Sequence, residues 1–212
     1  MSIYLDSANL NEVKQASQLK WVAGITTNPT ILAAAGLPAE DLLAEINALG
    51  FDLVFYQVRT GSLESMLAEA EKAQKILGEK LVVKVSPTPQ GFDFAANHSG
   101  NIKVCITAVF SPAQALLARE VKAALVAVYL NRATRLLGDG LALSREISKV
   151  LLGSGTKILA ASLKSVDEVS AAVLNGADHV TMPLNVVRML PNHYLSQEAE
   201  REFAATGVYL ND

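Results

Sequence analysis

The chain has 212 residues, half of them hydrophobic and 18% charged, with a net charge of −3. That suits one sizeable core in a single domain spanning residues 1–212, since barrels of about 200–250 residues are routinely one domain. The mild, well-spread charge argues against a nucleic-acid partner, and no uninterrupted apolar run reaches the roughly 18 residues that a membrane span needs. The opening MSIYLDSANL lacks the basic and long apolar regions of a signal peptide, and the one cysteine, Cys105, admits no intrachain disulfide. A cytoplasmic protein with no membrane partner is expected.

Eight short apolar runs rich in β-branched residues follow one another: 2–6, 22–28, 52–58, 81–86, 102–109, 125–131, 157–162 and 179–184. Longer amphipathic stretches separate them. SANLNEVKQASQL carries an Asn or Ser cap ahead of Leu10, Val13, Ala16 and Leu19. SLESMLAEAEKAQKILG opens on Ser62 and closes on Gly78. SVDEVSAAVLNG places Glu168 three residues after Ser165, a capping box, and ends at Gly176. Strand then helix, eight times over, predicts an α/β fold, a single (β/α)8 TIM barrel. A doubly wound open sheet is the alternative, but no GxGxxG follows the first strand. HYLSQEAEREFAATGVYLND, about 193–212, follows the eighth unit as an extra C-terminal helix and tail. It packs on its own barrel or on a neighbouring subunit, with Leu195, Phe203, Val208 and Tyr209 as anchors.

Barrel active sites lie at the C-terminal ends of the strands. Those ends carry Asp6; Thr26, Thr27 and Asn28; Gln57; Lys84; Thr107; Tyr129, Asn131 and Arg132; and Ser162 with Lys164. The eighth strand offers only Thr181 and Asn185. Each has a plain alternative. Asp6 could cap a helix, Asn28-Pro29 could be a turn that opens one, and Gln57 or Thr107 could be satisfied core groups. Tyr129 could be packing, and Arg132 and Lys164 solvated loop charges. Together they mark one face of one barrel. Lys84 fits its alternative least. It sits inside LVVKV, where an unpaired charge costs several kcal/mol, although its stem could carry the charge out of the strand end. Burial disfavours the charged form of an amine, and a neutral amine adds to carbonyls and forms Schiff bases.

These residues bring the whole chain into resemblance with the small transaldolase family, and within it the fructose-6-phosphate aldolases. YLDSANLNEV resembles the family's opening strand. GITTNPTILAAAG is similar to its most characteristic segment, and VVKV with Thr88 and Gly91 resembles the strand bearing the Schiff-base lysine. ITAVFSPAQALLA, VYLNR and ILAASLKS resemble the fifth, sixth and seventh strand ends. The resemblance implies that Lys84 attacks the C2 ketone of a ketose phosphate and that Asp6 acts in proton transfer. Thr26, Asn28 and Asn131 would hold the dihydroxyacetone part, and Gln57, Thr107 and Tyr129 would position a water. Arg132, Ser162 and Lys164 would bind the phosphate, as guanidinium forks and hydroxyls can. It implies no cofactor and no metal, because the iminium is the electron sink, and His98, His179 and His193 show no ligand spacing. Sugar phosphates would be the partners, and the assembly a homo-oligomer, a pentamer or a decamer.

Transaldolases of the family usually have Glu where this chain has Gln57 and Phe where it has Tyr129. Gln and Tyr resemble the aldolase version, which releases dihydroxyacetone instead of holding it for an acceptor. Cleavage of fructose 6-phosphate to dihydroxyacetone and glyceraldehyde 3-phosphate is therefore expected. Transfer of the same unit to an aldose phosphate, as in the pentose phosphate pathway, is the alternative, and a binding protein without turnover is a third. The chain departs from the family after Lys84, where KVSPTPQG moves the proline to Pro87 and adds Pro89. FDFAANHSGN then lacks a clear stripe and reads as a poor helix. After Arg132 the family's acidic residue is absent, and Arg135 follows in RATRLLGDG.

Overall fold

A computed structural model describes residues 1–210. Eight strands form a closed barrel in sequence order: β1 Ile3–Asp6, β2 Val22–Thr26, β3 Leu53–Gln57, β4 Leu81–Val85, β5 Val104–Val109, β6 Leu125–Tyr129, β7 Lys157–Ala161 and β8 His179–Met182. All neighbours pair in parallel, and β8 returns to β1. The helices are α1 Leu10–Ser17, α2 Pro29–Ala34, α3 Ala39–Ala48, α4 Leu63–Leu77, α5 Pro89–His98, α6 Pro112–Glu120, α7 Leu130–Leu137, α8 Gly140–Leu151, α9 Val166–Leu174, α10 Leu184–Met189 and α11 Tyr194–Thr206. The chain is thus the single (β/α)8 TIM barrel with a C-terminal helix that the rhythm of the sequence implies. No helix among the described residues is long and apolar enough to cross a membrane.

The two-residue period of a strand divides the core. One parity supplies a small cluster inside the barrel: Tyr4, Phe55, Val82, Cys105, Leu125, Ala127 and Leu159. The other parity, including Leu5, Ile25, Val54, Val83, Ile106, Val126 and Ile158, joins the larger layer under the helices. Continuing the inner parity one step toward the C-terminal mouth gives Asp6, Gln57, Lys84, Thr107 and Tyr129. The same alternation that fills the barrel lays polar groups on top of it.

Short side chains cap the helices as their positions require. Asn9 accepts from the amides of Asn11 and Glu12, Ser62 from Ser65 and Ser165 from Glu168. The capping box at Ser165 closes one residue early, because the Glu168 carboxylate accepts from the Lys164 amide. Asp6 caps no helix, since Asn9 does that work. FDFAANHSGN is helical as far as His98, against the expectation of a poor helix. Thr88 caps α5, Pro89 occupies its first turn, and Phe94 and Ala95 are fully buried. Three strong local terms outweigh a ragged stripe. The sixth strand ends two residues sooner than its apolar run, which places Asn131 and Arg132 in the first turn of α7. The helix expected at about 193–212 is α11, with residues 211 and 212 outside the described part. It has no buried residue, and Phe203 is 65% exposed.

The loop after β4 turns back so tightly that a Cβ on Gly91 would stand 1.9 Å from the Ser86 carbonyl oxygen. Gly91→Ala therefore has to push α5 off the end of the Lys84 strand. The expected cost is about 2–3 kcal/mol, the upper range for overpacking. It is read as a lower urea midpoint at unchanged slope.

Candidate active site

A cavity of about 530 Å³ opens at the C-terminal mouth of the barrel. Nine of the eleven residues to which the resemblance gives a role line it: Asp6, Thr26, Asn28, Gln57, Lys84, Tyr129, Arg132, Ser162 and Lys164. Thr107 and Asn131 are outside its wall. Three cationic side chains, Lys84, Arg132 and Lys164, face one carboxylate, Asp6. The balance suits an anionic guest.

Three consecutive residues after the second strand do three different jobs. Thr26 is 1% exposed, and its hydroxyl donates to Asp6 Oδ1 at 2.7 Å. Thr27 points the other way, and both its amide and its hydroxyl donate to the Phe55 carbonyl, at 3.1 and 2.8 Å. Its own carbonyl accepts from Lys84 Nζ at 2.6 Å. Asn28 caps α2 through its Oδ1, which accepts from the Ile31 amide at 3.0 Å, and Pro29 opens that helix. The turn-and-helix explanation of Asn28-Pro29 holds, and Asn28 nonetheless lines the cavity, with its amide NH2 group as a further donor.

Lys84 is 4% exposed and stands in register with Gln57 on β3 and Cys105 on β5. Its partner is a backbone carbonyl rather than a carboxylate. Burial pushes the neighbouring Cys105 thiol up to about 12, against a smaller opposing pull from Lys84. Cys105 therefore stays a neutral thiol, and Lys84 has no thiolate rival inside the barrel.

Thr181, which the sequence offered without a role, completes the carboxylate's support. Its hydroxyl lies 2.6 Å from Thr26 Oγ1, and it is 2% exposed. Thr26 has one hydroxyl hydrogen, and Asp6 as carboxylate claims it. Thr181 must then be the donor in its own contact with Thr26. The chain runs Thr181 to Thr26 to Asp6 across three strands.

Tyr129 is held from three sides. Its hydroxyl is 3.4 Å from Thr107 Oγ1, its ring meets Phe110 edge-on at 6.0 Å, and the Arg132 guanidinium lies 4.9 Å above it. A bulge in β5 between Thr107 and Val109 puts Ala108 at φ 58° and into the cavity wall. Gln57 Nε2 reaches Ser86 Oγ at 3.5 Å. Ser162 follows β7 with φ 63°, a left-handed backbone that non-glycine residues hold only when their surroundings fix it. Asn131 donates from Nδ2 to Glu168 Oε1 at 2.6 Å, so its amide faces α9. Thr27, Thr181 and Glu168 are named by the sequence but given no part in the site by it. The carbonyl of Thr27 carries no side-chain signal, and Glu168 reads as nothing more than a helix cap.

The amine, the carboxylate with its hydroxyl chain, and the two exposed cations meet in one cavity at the C-terminal mouth of a TIM barrel. The particular family follows from comparison. The transaldolase/fructose-6-phosphate aldolase family model matches residues 3–210, and the chain belongs to that family of aldolase- and transaldolase-type enzymes. The chain is 34% identical to "Probable transaldolase 1" of Bacillus cereus over 208 residues, 97% of this chain and 96% of that one. It is 35% identical, over the same shares, to a "Probable transaldolase" of Shouchella clausii. Crystal structures of mandelate oxidase superpose with a TM-score of 0.65 at 14% identity, over 97% of this chain and 75% of that one, which shows the barrel alone.

Thr181→Val removes the donor at nearly constant volume. It is expected to lower stability by about 1 kcal/mol, one hydrogen bond. Aldolase- or transaldolase-type activity should fall about five- to tenfold with KM little changed. Thr181→Ser should recover most of both, as seen in urea melts and steady-state kinetics.

Proposed function

We propose that the chain is a Schiff-base aldolase that reversibly cleaves fructose 6-phosphate to dihydroxyacetone and glyceraldehyde 3-phosphate. The observation that carries this reading is Lys84: a lysine 4% exposed, at the floor of a polar cavity, with a carbonyl and, among the described residues, no carboxylate as its partner. An ion pair would explain a buried lysine as structure, whereas a lone amine beside space for a substrate has a chemical explanation.

In this reading Lys84 Nζ adds to the C2 ketone, and loss of water gives the iminium. Asp6 takes the proton of the C4 hydroxyl. The C3–C4 bond breaks, its electron pair passes to the iminium as an enamine, and the aldehyde phosphate leaves. A water placed by Gln57 and Tyr129, with Thr107 behind Tyr129, returns a proton to C3. Hydrolysis then frees dihydroxyacetone and the amine. Thr26 and Asn28 hold the three-carbon unit, and Arg132, Ser162 and Lys164 bind the phosphate through charge-assisted bonds. Asn131 joins neither group directly, since it lies outside the cavity wall and its amide is turned to Glu168.

A second reading is transfer of the three-carbon unit to an aldose phosphate. The relatives bearing the name transaldolase favour it, and Gln57 with Tyr129 favours cleavage. The same reading expects a cytoplasmic homo-oligomer acting on sugar phosphates, a pentamer or decamer in which α11 leaves its own barrel. The absence of any buried residue in α11 supports that placement.

Borohydride reduction in the presence of dihydroxyacetone should add the reduced three-carbon unit to Lys84, located by peptide mass. Lys84→Ala should remove the adduct and lower activity about 10³-fold or more. Unchanged activity in that variant would end the lysine mechanism. Incubation with fructose 6-phosphate decides between the two readings. Dihydroxyacetone without any acceptor marks the aldolase, and turnover only when erythrose 4-phosphate is added marks the transaldolase. Light scattering should give a mass near five or ten times the 22.5 kDa chain. A monomer would remove the assembly from the reading.

A further inference from the structure

The two cations on the cavity lip come from separate elements. Arg132 stands in the first turn of α7, and Lys164 in the loop between β7 and α9. Both are exposed, so neither is fixed by burial. One carboxylate spans the gap behind them. Glu168 is half-buried, and its Oε1 accepts from Asn131 Nδ2 at 2.6 Å while its Oε2 accepts from the Lys164 amide at 2.7 Å. Asn131 directly precedes Arg132. Lys164 follows Ser162 by two residues, and the Leu163 between them is fully buried.

From this juxtaposition we infer that Glu168 is a positioning residue for the phosphate end of the substrate. It holds the Arg132 turn and the Ser162–Lys164 loop at one spacing without touching the substrate. The inference rests on the reading of that lip as the phosphate-binding one. Three physical points carry it. Ser162 has a left-handed backbone, which persists only where the chain on either side is fixed. The β7 ladder fixes one side, and buried Leu163 with the Lys164–Glu168 bond fixes the other. A carboxylate beside a phosphate site would ordinarily repel the guest. Here both oxygens are engaged by N–H donors, and the group stands in the first turn of α9, where the helix dipole favours negative charge. Finally, both bonds are short and charge-assisted, the kind whose loss costs most.

The test compares two acceptor aldehydes in aldol addition of dihydroxyacetone: glyceraldehyde 3-phosphate and glyceraldehyde. The readout is the ratio of their kcat/KM values in wild type, Glu168→Ala, Glu168→Gln and Arg132→Ala. For Glu168→Ala the ratio should fall about tenfold, through KM for the phosphorylated aldehyde. Glu168→Gln keeps one acceptor oxygen and should fall between that and wild type. If the alanine variant does not fold, as judged by its circular dichroism melt, the glutamine variant carries the test with a fall of severalfold. Equal losses on both aldehydes would make Glu168 a brace for the whole barrel mouth and overturn the inference, and so would an unchanged ratio. A collapse of the ratio in Arg132→Ala alone would leave the phosphate lip standing and remove only the role of Glu168. A wild type that does not distinguish the two aldehydes would remove both.

Discussion

A single hydrogen bond organises the cavity: Lys84 Nζ to the Thr27 carbonyl, inside a closed barrel. An ammonium has three hydrogens, and an unpaired charge at this depth costs several kcal/mol. One carbonyl satisfies one hydrogen. The side chain also lines the cavity, so the amine is anchored on one side and available on the other. That carbonyl is itself held in place, because the amide and hydroxyl of Thr27 both bind Phe55 on the next strand. The order Thr-Thr-Asn then follows from alternation. The first threonine turns inward to the carboxylate, the second outward to the neighbouring strand, and the asparagine starts a helix.

The barrel makes such an arrangement inexpensive. Parallel strands in register set Gln57 beside Lys84 and Lys84 beside Cys105 without any loop having to deliver them. Groups placed by a ladder are preorganised, since their backbone atoms are already committed to neighbours on both sides. The irregular positions are fewer and lie where the regular ladder falls short. The bulge at Ala108 and the left-handed Ser162 both line the cavity, and both redirect chain at a strand end.

Most of this was legible because it is periodic or local. β-branched runs of strand length, caps at Ser62 and Ser165, and polar residues at strand ends are patterns a single sequence carries. What it hid depends on other atoms. FDFAANHSGN lacks a stripe, yet Thr88, Pro89 and the burial of Phe94 make it a helix. By spacing Asn131 belongs to the sixth strand, but the strand stops at Tyr129 and a helical turn swings its amide toward α9. The Thr27 carbonyl has no side chain to announce it. Thr181 and Glu168 matter through contacts with residues 155 and 37 positions away, respectively. No local window contains such pairs.

Tyr129 links the two halves of the cavity. Its hydroxyl faces Thr107 on the strand beside Lys84, and its ring carries the Arg132 guanidinium. A cation over an aromatic face is worth about 0.5–2 kcal/mol, depending on desolvation. An anion that draws Arg132 toward itself must take that guanidinium partly off the ring or move the ring with it. Under the proposed chemistry, phosphate binding and water placement are then not independent, and departure of the aldehyde phosphate resets the tyrosine. A phenylalanine here would keep the stacking and lose the hydroxyl. In that reading the Tyr129 hydroxyl, together with Gln57, decides between releasing the three-carbon unit and holding it for an acceptor, and the ring that carries this hydroxyl also carries the phosphate-binding guanidinium.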